Sequence, residues 1–360
     1  MQRFEPRAII DIIKTVRKNE FPIEVEIIHL ITQKLQQPLV TTSFTVKDLK
    51  SWTKGAIPLT TFVNSIDIRQ GGKQLKKQKN KVITNSGNYS LELEIKPQIG
   101  LGLGGFPDAV VHRFYLLPTF NVHLWKGAQL QMEIILPISS EFDITGEHFI
   151  RPGILSFSQT IRLPKQLWLQ GAIGYFSKNR YGGRLSTAKF LFNGSLSITG
   201  EIGYTGYASY PMKLGVEKAI KGWEYADIDY LDYSVGMAYW FKDWNTQVKL
   251  EYAKVLFNKK QVKLSVLQRF NEVDIGFFAL KTERGNNYGM QLNIPIFPKK
   301  YWNPKRLSIR PARSLDYTYH ATQFFADQYK TGNAVSDFYR QLNPEFIKKQ
   351  LQILERWEVK

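Results

Sequence analysis

Three glycines in QIGLGLGGFPD, residues 98–108, have the G-x-G-x-x-G spacing of a dinucleotide-binding loop. Such a loop requires a helix that opens at the third glycine, Gly105, because the helix N-terminus holds the pyrophosphate. The residues that follow, AVVHRFYLLPTF, are β-branched and aromatic and favour a strand. The spacing therefore does not predict a nucleotide site, and we expect the glycines to mark a bare strand face against which another group packs.

Other residue types that could support catalysis form no recognisable constellation. The five histidines show no metal-ligand spacing, and the chain has neither a cysteine nor a G-x-S-x-G motif. The carboxylate pairs Glu92/Glu94 and Asp227/Asp229 have i, i+2 spacing. Any two residues at i and i+2 on a strand lie at about the distance that separates the two carboxylates of a glycosidase. The pairs are therefore only weak evidence for a glycosidase site. We expect no catalytic residue, no metal site and no cofactor.

The stretch from 206 to 231, GYASYPMKLGVEKAIKGWEYADIDYL, combines aromatic and acidic residues as sugar-binding surfaces do. Aromatic rings contact the apolar faces of sugars, and carboxylates accept hydrogen bonds from their hydroxyls. The candidate carbohydrate contacts are Tyr207, Tyr210, Trp223, Tyr225, Tyr230, Asp227 and Asp229. The more ordinary interpretation is the aromatic girdle of a membrane barrel.

A second candidate surface is basic and lies in KKYWNPKRLSIRPAR, residues 299–313. The whole chain carries a net charge of +18, so anionic partners are expected. An anionic polymer, an acidic periplasmic protein or lipid phosphates would each suit this stretch. No helix-turn-helix, zinc-finger or RNP-like sequence is present, which argues against nucleic acid. The candidate docking residues are Lys299, Lys300, Lys305, Arg306, Arg310 and Arg313.

The elements that position these residues are predicted to be strands. From Tyr89 to Leu103 the odd positions are apolar or Pro, while the even positions are first charged or polar and then glycine. Side chains alternate between the two faces of a strand, so one face is apolar and the other is polar or bare. The run exceeds the roughly 5–6 residues of a typical soluble strand and matches the ~9–11 residues of a membrane-crossing one. The alternation recurs in about a dozen segments up to Ile296.

The connections between these segments alternate in length. Outer-membrane barrels have short periplasmic turns and longer outer loops, and a polar lumen accepts charged side chains that a dry sandwich core would exclude. The predicted fold class is all-β, a transmembrane antiparallel β-barrel of about 12 strands. Short joins are expected at 125–128, 163–166, 193–194, 242–244 and 269–271, and longer ones at 139–148, 177–183, 206–231 and 282–287.

Four regions are expected along the chain. A small α/β segment covers residues 1–60 and a basic linker 61–87, followed by the barrel at 88–297 and a basic, largely helical tail at 298–360. Asn343 before Pro344 forms a good N-cap and N1 pair, so the tail helix is predicted to begin there. An even number of strands returns the chain to its starting side, which places both terminal segments in the periplasm. The opening residues, MQRFEPRAII, lack the apolar region of a signal peptide.

Three stretches carry a resemblance to a known family. NRYGGRLSTAKFLFNGSLSITGEIGYTGY (179–207), QLNIPIFPKKYWNPKRLSIRPARSLDYTYH (291–320) and NPEFIKKQLQ (343–352) resemble the YjbH-like family of exopolysaccharide-associated outer-membrane proteins. The resemblance implies an outer-membrane β-barrel of a Gram-negative bacterium, made together with exopolysaccharide or capsule secretion genes, without enzyme activity. Members are often lipoproteins, whereas this chain has no cysteine to carry a lipid.

The expected function follows chiefly from that resemblance. We expect a non-enzymatic component of exopolysaccharide or capsule biosynthesis, export or surface attachment. The expected partners are outer-membrane lipid, an acidic or neutral exopolysaccharide and periplasmic export proteins. Two competing functions remain, a general diffusion porin and a scaffold barrel that docks periplasmic partners through its terminal segments.

Overall fold

The computed structural model describes most of the chain between residue 26 and residue 351. Within the described residues no helix has the length and apolar character needed to cross a membrane. The described ranges are 26–71, 90–103, 110–141, 148–209, 224–256, 258–270, 273–283, 285–296, 307–312, 314–321, 328–335, 343–344, 347–348 and 351. The first 25 residues of the expected α/β segment and most of the expected basic linker lie outside them.

A small α/β unit forms the first part of the described chain. Three antiparallel strands, β1 (Ile27–Lys34), β2 (Gln37–Thr45) and β3 (Asp67–Gln70), make a sheet in the order β1-β2-β3. Helices α1 (Val46–Thr53) and α2 (Leu59–Ser65) connect β2 to β3. Thr45 caps α1 because its hydroxyl accepts a hydrogen bond from the Asp48 N–H at 3.0 Å. The α/β segment was expected to end at residue 60, whereas α2 and β3 extend this unit to residue 70.

The rest of the described chain is dominated by one 15-stranded sheet. Consecutive strands pair as antiparallel neighbours from β4 to β16, with the two-residue β11 attached to the end of β10. The strands are β4 (Ser90–Leu103), β5 (Val110–His123), β6 (Ala128–Ser140), β7 (Arg151–Leu163), β8 (Leu167–Phe176), β9 (Arg180–Leu191), β10 (Leu196–Ser209), β11 (Glu224–Tyr225), β12 (Tyr230–Phe241), β13 (Thr246–Val255), β14 (Lys259–Phe270), β15 (Val273–Thr282), β16 (Gly285–Pro295), β17 (Leu307–Pro311) and β18 (Ser314–His320).

The two sides of this sheet meet one stretch of chain, residues 307–320. β17 pairs in parallel with β4, and β18 pairs antiparallel with β16. The Ala312 N–H, between the two strands, donates to the Ile95 carbonyl at 2.8 Å. In the described residues β4 does not pair with β16, and β17 does not pair with β18, so the strands do not form a closed ladder, although this stretch contacts both sides of the sheet.

The sheet is apolar on its outer face and polar on its inner face. In β4 the side chains of Ile95, Ile99 and Leu101 are exposed, whereas Glu92 and Glu94 are buried. The other strands show the same pattern. It is the inverse of the pattern in soluble sheets, which bury their apolar face. Exposed apolar residues on strands β6 to β16 include Leu130, Met132, Leu155, Ile161, Ile173, Leu185, Ile198, Ile202, Val235, Met237, Leu250, Leu264, Phe277 and Met290. The large antiparallel sheet and its alternation confirm the mainly β part of the predicted fold.

Two parts of the sequence interpretation are wrong in detail. The strands extend into several predicted loops, so the joins at 177–179, 256–258 and 283–284 are as short as those at the opposite end. Longer joins remain at 104–109, 141–150 and 210–229, all at one end, which we call the long-loop end, opposite the short-turn end. Among the described residues of the expected tail, 307–311 and 314–320 form strands β17 and β18 instead of helix, because they find hydrogen-bonding partners at the sides of the sheet. Residues 344, 347, 348 and 351 are helical.

The α/β unit sits against the short-turn end of the large sheet. The Gly127 N–H donates to the Leu35 carbonyl at 2.9 Å, and the Arg162 guanidinium donates to the Pro38 carbonyl at 3.1 Å. Apolar side chains from both parts share one core. It contains Leu39, Val40, Phe44, Leu49, Phe62 and Val63 of the unit, Trp168, Ala188, Phe190 and Trp240 of the sheet, and Val335, Ile347 and Leu351 of the C-terminal tail.

Candidate functional site: the interior of the sheet

The inner face of the sheet carries charged residues that are paired with one another. Arg310 on β17 lies between two carboxylates of β4 and contacts both Glu92 and Glu94, with its Nη2 3.1 Å from a Glu94 oxygen. Arg269 and Asp274 form a second buried pair beside the β14–β15 turn. Buried charges are tolerated only when they are paired in this way. The pairs therefore explain how charged residues can occupy the strand positions that the sequence predicted to face inward.

Glycines on the inner face make room for larger neighbours. A Cβ built on Gly100 would collide with the side chain of Arg113, which lies on the adjacent strand opposite it. This close approach explains the first glycine of the G-x-G-x-x-G stretch without any phosphate. Gly102 and Gly105 either lie outside the described side chains or outside the described residues.

A short piece of the C-terminal tail runs through the interior of the sheet. We call residues 328–335, QYKTGNAV, the interior segment. Because β18 runs toward the long-loop end and Val335 joins the core at the short-turn end, the chain crosses back through the interior between these points. Its hydrogen-bond partners on the inner face are Asn121 of β5, Gln131 of β6, Ser156 of β7, Gln170 of β8, Asp232 of β12 and Glu251 of β13.

Most bonds to the interior segment involve its main chain. Ser156 donates to the Thr331 carbonyl at 2.7 Å, and Gln170 donates to the Asn333 carbonyl at 2.9 Å. The Val335 N–H donates to the Gln170 side-chain carbonyl at 3.1 Å. The interior segment has no regular secondary structure. Amide and hydroxyl side chains of the sheet therefore supply the hydrogen bonds that its main-chain N–H and C=O groups require.

Tyr329 provides the principal side-chain contact of the interior segment. Its hydroxyl donates to an Asp232 carboxylate oxygen at 2.7 Å, and its ring stacks on Phe176 with centroids 5.7 Å apart. The Arg184 guanidinium lies 4.7 Å from the ring centroid and also contacts Asp232 and Glu201. Burial raises the pKa of the Tyr329 hydroxyl above its usual range, so the phenol stays protonated and can donate.

The predicted carbohydrate contacts do not form one platform among the described residues. Tyr230 is turned toward cations, with Arg180 and Lys254 at 5.3 and 5.6 Å from its ring centroid, and its hydroxyl bonds to main chain at 255 and 258. Tyr207 is exposed and accepts a bond from Asn179. Asp227 and Asp229 are exposed, Tyr225 pairs with Ala208 through its main chain, and Tyr210 and Trp223 lie outside the described residues.

Of the predicted docking residues, the structure describes only Arg310. Its assignment to an exposed basic strip is wrong, because Arg310 is 7 % exposed and is held by Glu92 and Glu94. The alternation of Leu307, Ile309 and Pro311 with polar residues is the sequence signal that could have indicated a strand here. Lys299, Lys300, Lys305, Arg306 and Arg313 lie outside the described residues.

The interior segment and Tyr329 were missed by the sequence analysis. QYKTGNAV has no periodicity of either strand or helix, and its partners lie far away in the chain, so no local signal indicates its position. The described residues contain no group of three or more His, Asp or Glu side chains that could hold a metal ion.

Comparisons with known proteins give one similar solved structure to report. No protein-family model matches the chain, and no curated protein does. A loop L8 deletion mutant of OmpT, an outer membrane protein of Vibrio cholerae, aligns with a TM-score of 0.28 and 10 % identity over 56 % of this chain and 85 % of that one. A TM-score this low does not establish a shared fold, so the conclusions below rest on the residues themselves.

Proposed function

We propose that this protein is an outer-membrane β-barrel of a Gram-negative bacterium, closed through the stretch 307–320. The observation that carries the proposal is the inverted polarity of the sheet. Large apolar side chains such as Ile173 and Phe277 are more than 60 % exposed, while carboxylates and amides face inward. In water such a surface would be an aggregation site, whereas in a bilayer it contacts lipid chains.

Aromatic residues at both ends of the strands support the same proposal. Trp125, Phe241, Trp244 and Phe270 are exposed near the short-turn end. Tyr204, Tyr207, Tyr252 and Tyr288 are exposed toward the long-loop end. Bands of this kind lie at the two membrane interfaces of outer-membrane barrels. With short turns in the periplasm, the α/β unit would be periplasmic.

Fractionation and heat-modifiable migration test the membrane proposal. The full chain, expressed in a Gram-negative host, should be recovered with outer membranes and should migrate differently on a detergent gel before and after boiling. Recovery of a folded monomer from water without detergent would contradict it.

We propose a non-enzymatic role in exopolysaccharide or capsule export or surface attachment, for which the family resemblance is the support. Among the alternatives, a scaffold that docks periplasmic partners agrees better with the structure than a diffusion porin does. The α/β unit and the tail share a core with Trp168 of β8, Phe190 of β9 and Trp240 of β12 at the short-turn end, so they cover part of the opening there.

Two measurements separate these functions. Liposomes containing the protein should swell in neutral sugars much more slowly than liposomes containing an open porin. Deletion of the gene should reduce surface polysaccharide without changing outer-membrane permeability, and expression of the full chain should restore it. Rapid swelling would favour the porin, and unchanged polysaccharide would contradict the export role.

A further inference from the structure

The interior segment is held differently at its two ends. Val335 is fully buried in the apolar core at the short-turn end, together with Ile347 and Leu351 farther along the tail. At the other end Tyr329 is the only large side chain of the segment that is buried. Burial of aliphatic side chains in a shared core anchors the first end, whereas Tyr329 and the polar contacts of Gln328 and Lys330 hold the second end.

Between these ends the contacts are polar and exchangeable. Lys330 and Asn333 stay exposed, and the Asn333 side-chain amide donates to Asn121 of β5 at 3.2 Å. Each neutral hydrogen bond to Ser156, Gln170 or Gln131 adds little net stability, because water or a ligand hydroxyl can replace it. The middle of the segment is therefore far easier to detach than Val335.

Gly332 is placed where a hinge would be. Its φ of +113° lies in the region that favours glycine, and a Cβ there would approach the Gln131 side chain at 2.6 Å. It lies between the tyrosine and the buried valine. Rotation about this residue would move the Tyr329 end without disturbing the core.

We propose that the interior segment is a hinged strap that narrows the lumen and is latched by Tyr329 against Phe176, Asp232 and Arg184. Release of Tyr329 frees residues 328–331 from Ser156 of β7, Asp232 of β12 and Glu251 of β13, while Asn333 and Val335 stay in place. The lumen then widens at the long-loop side. This inference rests on the proposed barrel, and the two fail in different measurements.

The absence of cysteine allows a clean test of the strap in the full chain. The Ser177 N–H donates to the Lys330 carbonyl at 3.0 Å, and the Lys330 N–H donates to the Ser177 hydroxyl at 2.7 Å, so these residues face each other. The substitutions Ser177→Cys and Lys330→Cys introduce the sole thiol pair, which should form a disulfide on oxidation. Mass spectrometry measures that bond.

Single-channel conductance in planar bilayers with potassium chloride then measures how wide the lumen is. Tyr329→Ala should raise the single-channel conductance at least about twofold, because loss of the ring and hydroxyl removes the latch. Tyr204→Ala, which truncates an outward tyrosine that does not contact the strap, should leave conductance unchanged. In Tyr329→Ala carrying the cysteine pair, oxidation should return conductance to the wild-type level and reduction should raise it again.

The outcomes distinguish the strap from the barrel. If the wild-type chain shows no heat-modifiable fold, the barrel proposal fails, and disulfide formation between residues 177 and 330 still tests where the segment lies. If Tyr329→Ala is heat-modifiable and conducts as the wild type does, the strap proposal is wrong. Conductance that stays high after oxidation of a confirmed disulfide would overturn it as well.

Discussion

Arg310 occupies the position where the two sides of the sheet are joined, and its charge is fully committed there. It contacts Glu92 and Glu94 at an inner face where all three side chains are about nine-tenths buried. Removal of one partner from such a group leaves buried charge without compensation, which is more costly than the original pairing was favourable. The residue therefore acts in assembly and not in docking.

Substitution of Arg310 by methionine tests this role. Arg310→Met should lower the free energy of unfolding by about 3–5 kcal/mol, because two carboxylates lose their guanidinium. The matched control is Arg69→Met, since Arg69 pairs with Asp67 in the α/β unit where both side chains are well exposed. Exposed pairs contribute about 1 kcal/mol or less. Urea unfolding in detergent micelles measures both variants, and equal losses would contradict the assignment.

At the scale of the strand, the outward alternation makes a prediction that distinguishes lipid from water. Leu250 lies near the middle of β13 and is 48 % exposed. A lysine on the lipid face near the bilayer midplane costs about 2–4 kcal/mol, whereas an exposed surface substitution in water usually changes stability by within about 0.5 kcal/mol. Leu250→Lys should therefore reduce the heat-modifiable fraction strongly, and Leu250→Met should not. Wild-type behaviour of Leu250→Lys would indicate a face in contact with water.

The strands were the most predictable elements, and the reasons are physical. Alternation is a local property, so β4 and β13 could be identified from a few residues each. The parallel pairing of β17 with β4 involves residues more than 200 positions apart, and the basic residues around β17 favoured a docking surface in a largely helical tail. The join at 177–179 was predicted to be longer, and the join at 256–258 was overlooked. The reason is that the polar residues at the ends of strands resemble loops in sequence.

The interior site was less predictable than the sheet. Tyr329 is recognisable only through its neighbours Phe176, Asp232 and Arg184, which come from three different strands. Asp232 lies one residue beyond the aromatic segment 206–231 and was not among the candidate residues, and nothing in the sequence indicates its partner. Side chains that bind an irregular piece of chain leave no periodic signature, so such a site emerges only once the fold is known.

For the whole molecule, the shared core at the short-turn end makes the α/β unit, the sheet and the tail one cooperative structure. Trp240 of β12 is 3 % exposed in that core, in company with Phe62 of α2 and Val335 of the interior segment. Four residues later, Trp244 is 71 % exposed on the outside. Substitution of each tryptophan in turn therefore distinguishes the role of the core from the role of the outer face.

Trp240→Ala should loosen the terminal parts together. Loss of a buried tryptophan costs about 3–5 kcal/mol, and the cavity would lie where the α/β unit and the tail both contact the sheet. Limited proteolysis of the protein in outer-membrane vesicles should then cut the α/β unit and the tail at similarly increased rates, while the strands stay protected. Trp244→Ala should leave both rates unchanged, because its ring is outside the core. Faster cleavage of the α/β unit alone would show that the tail is held independently, through the polar contacts of its interior segment and not through the core.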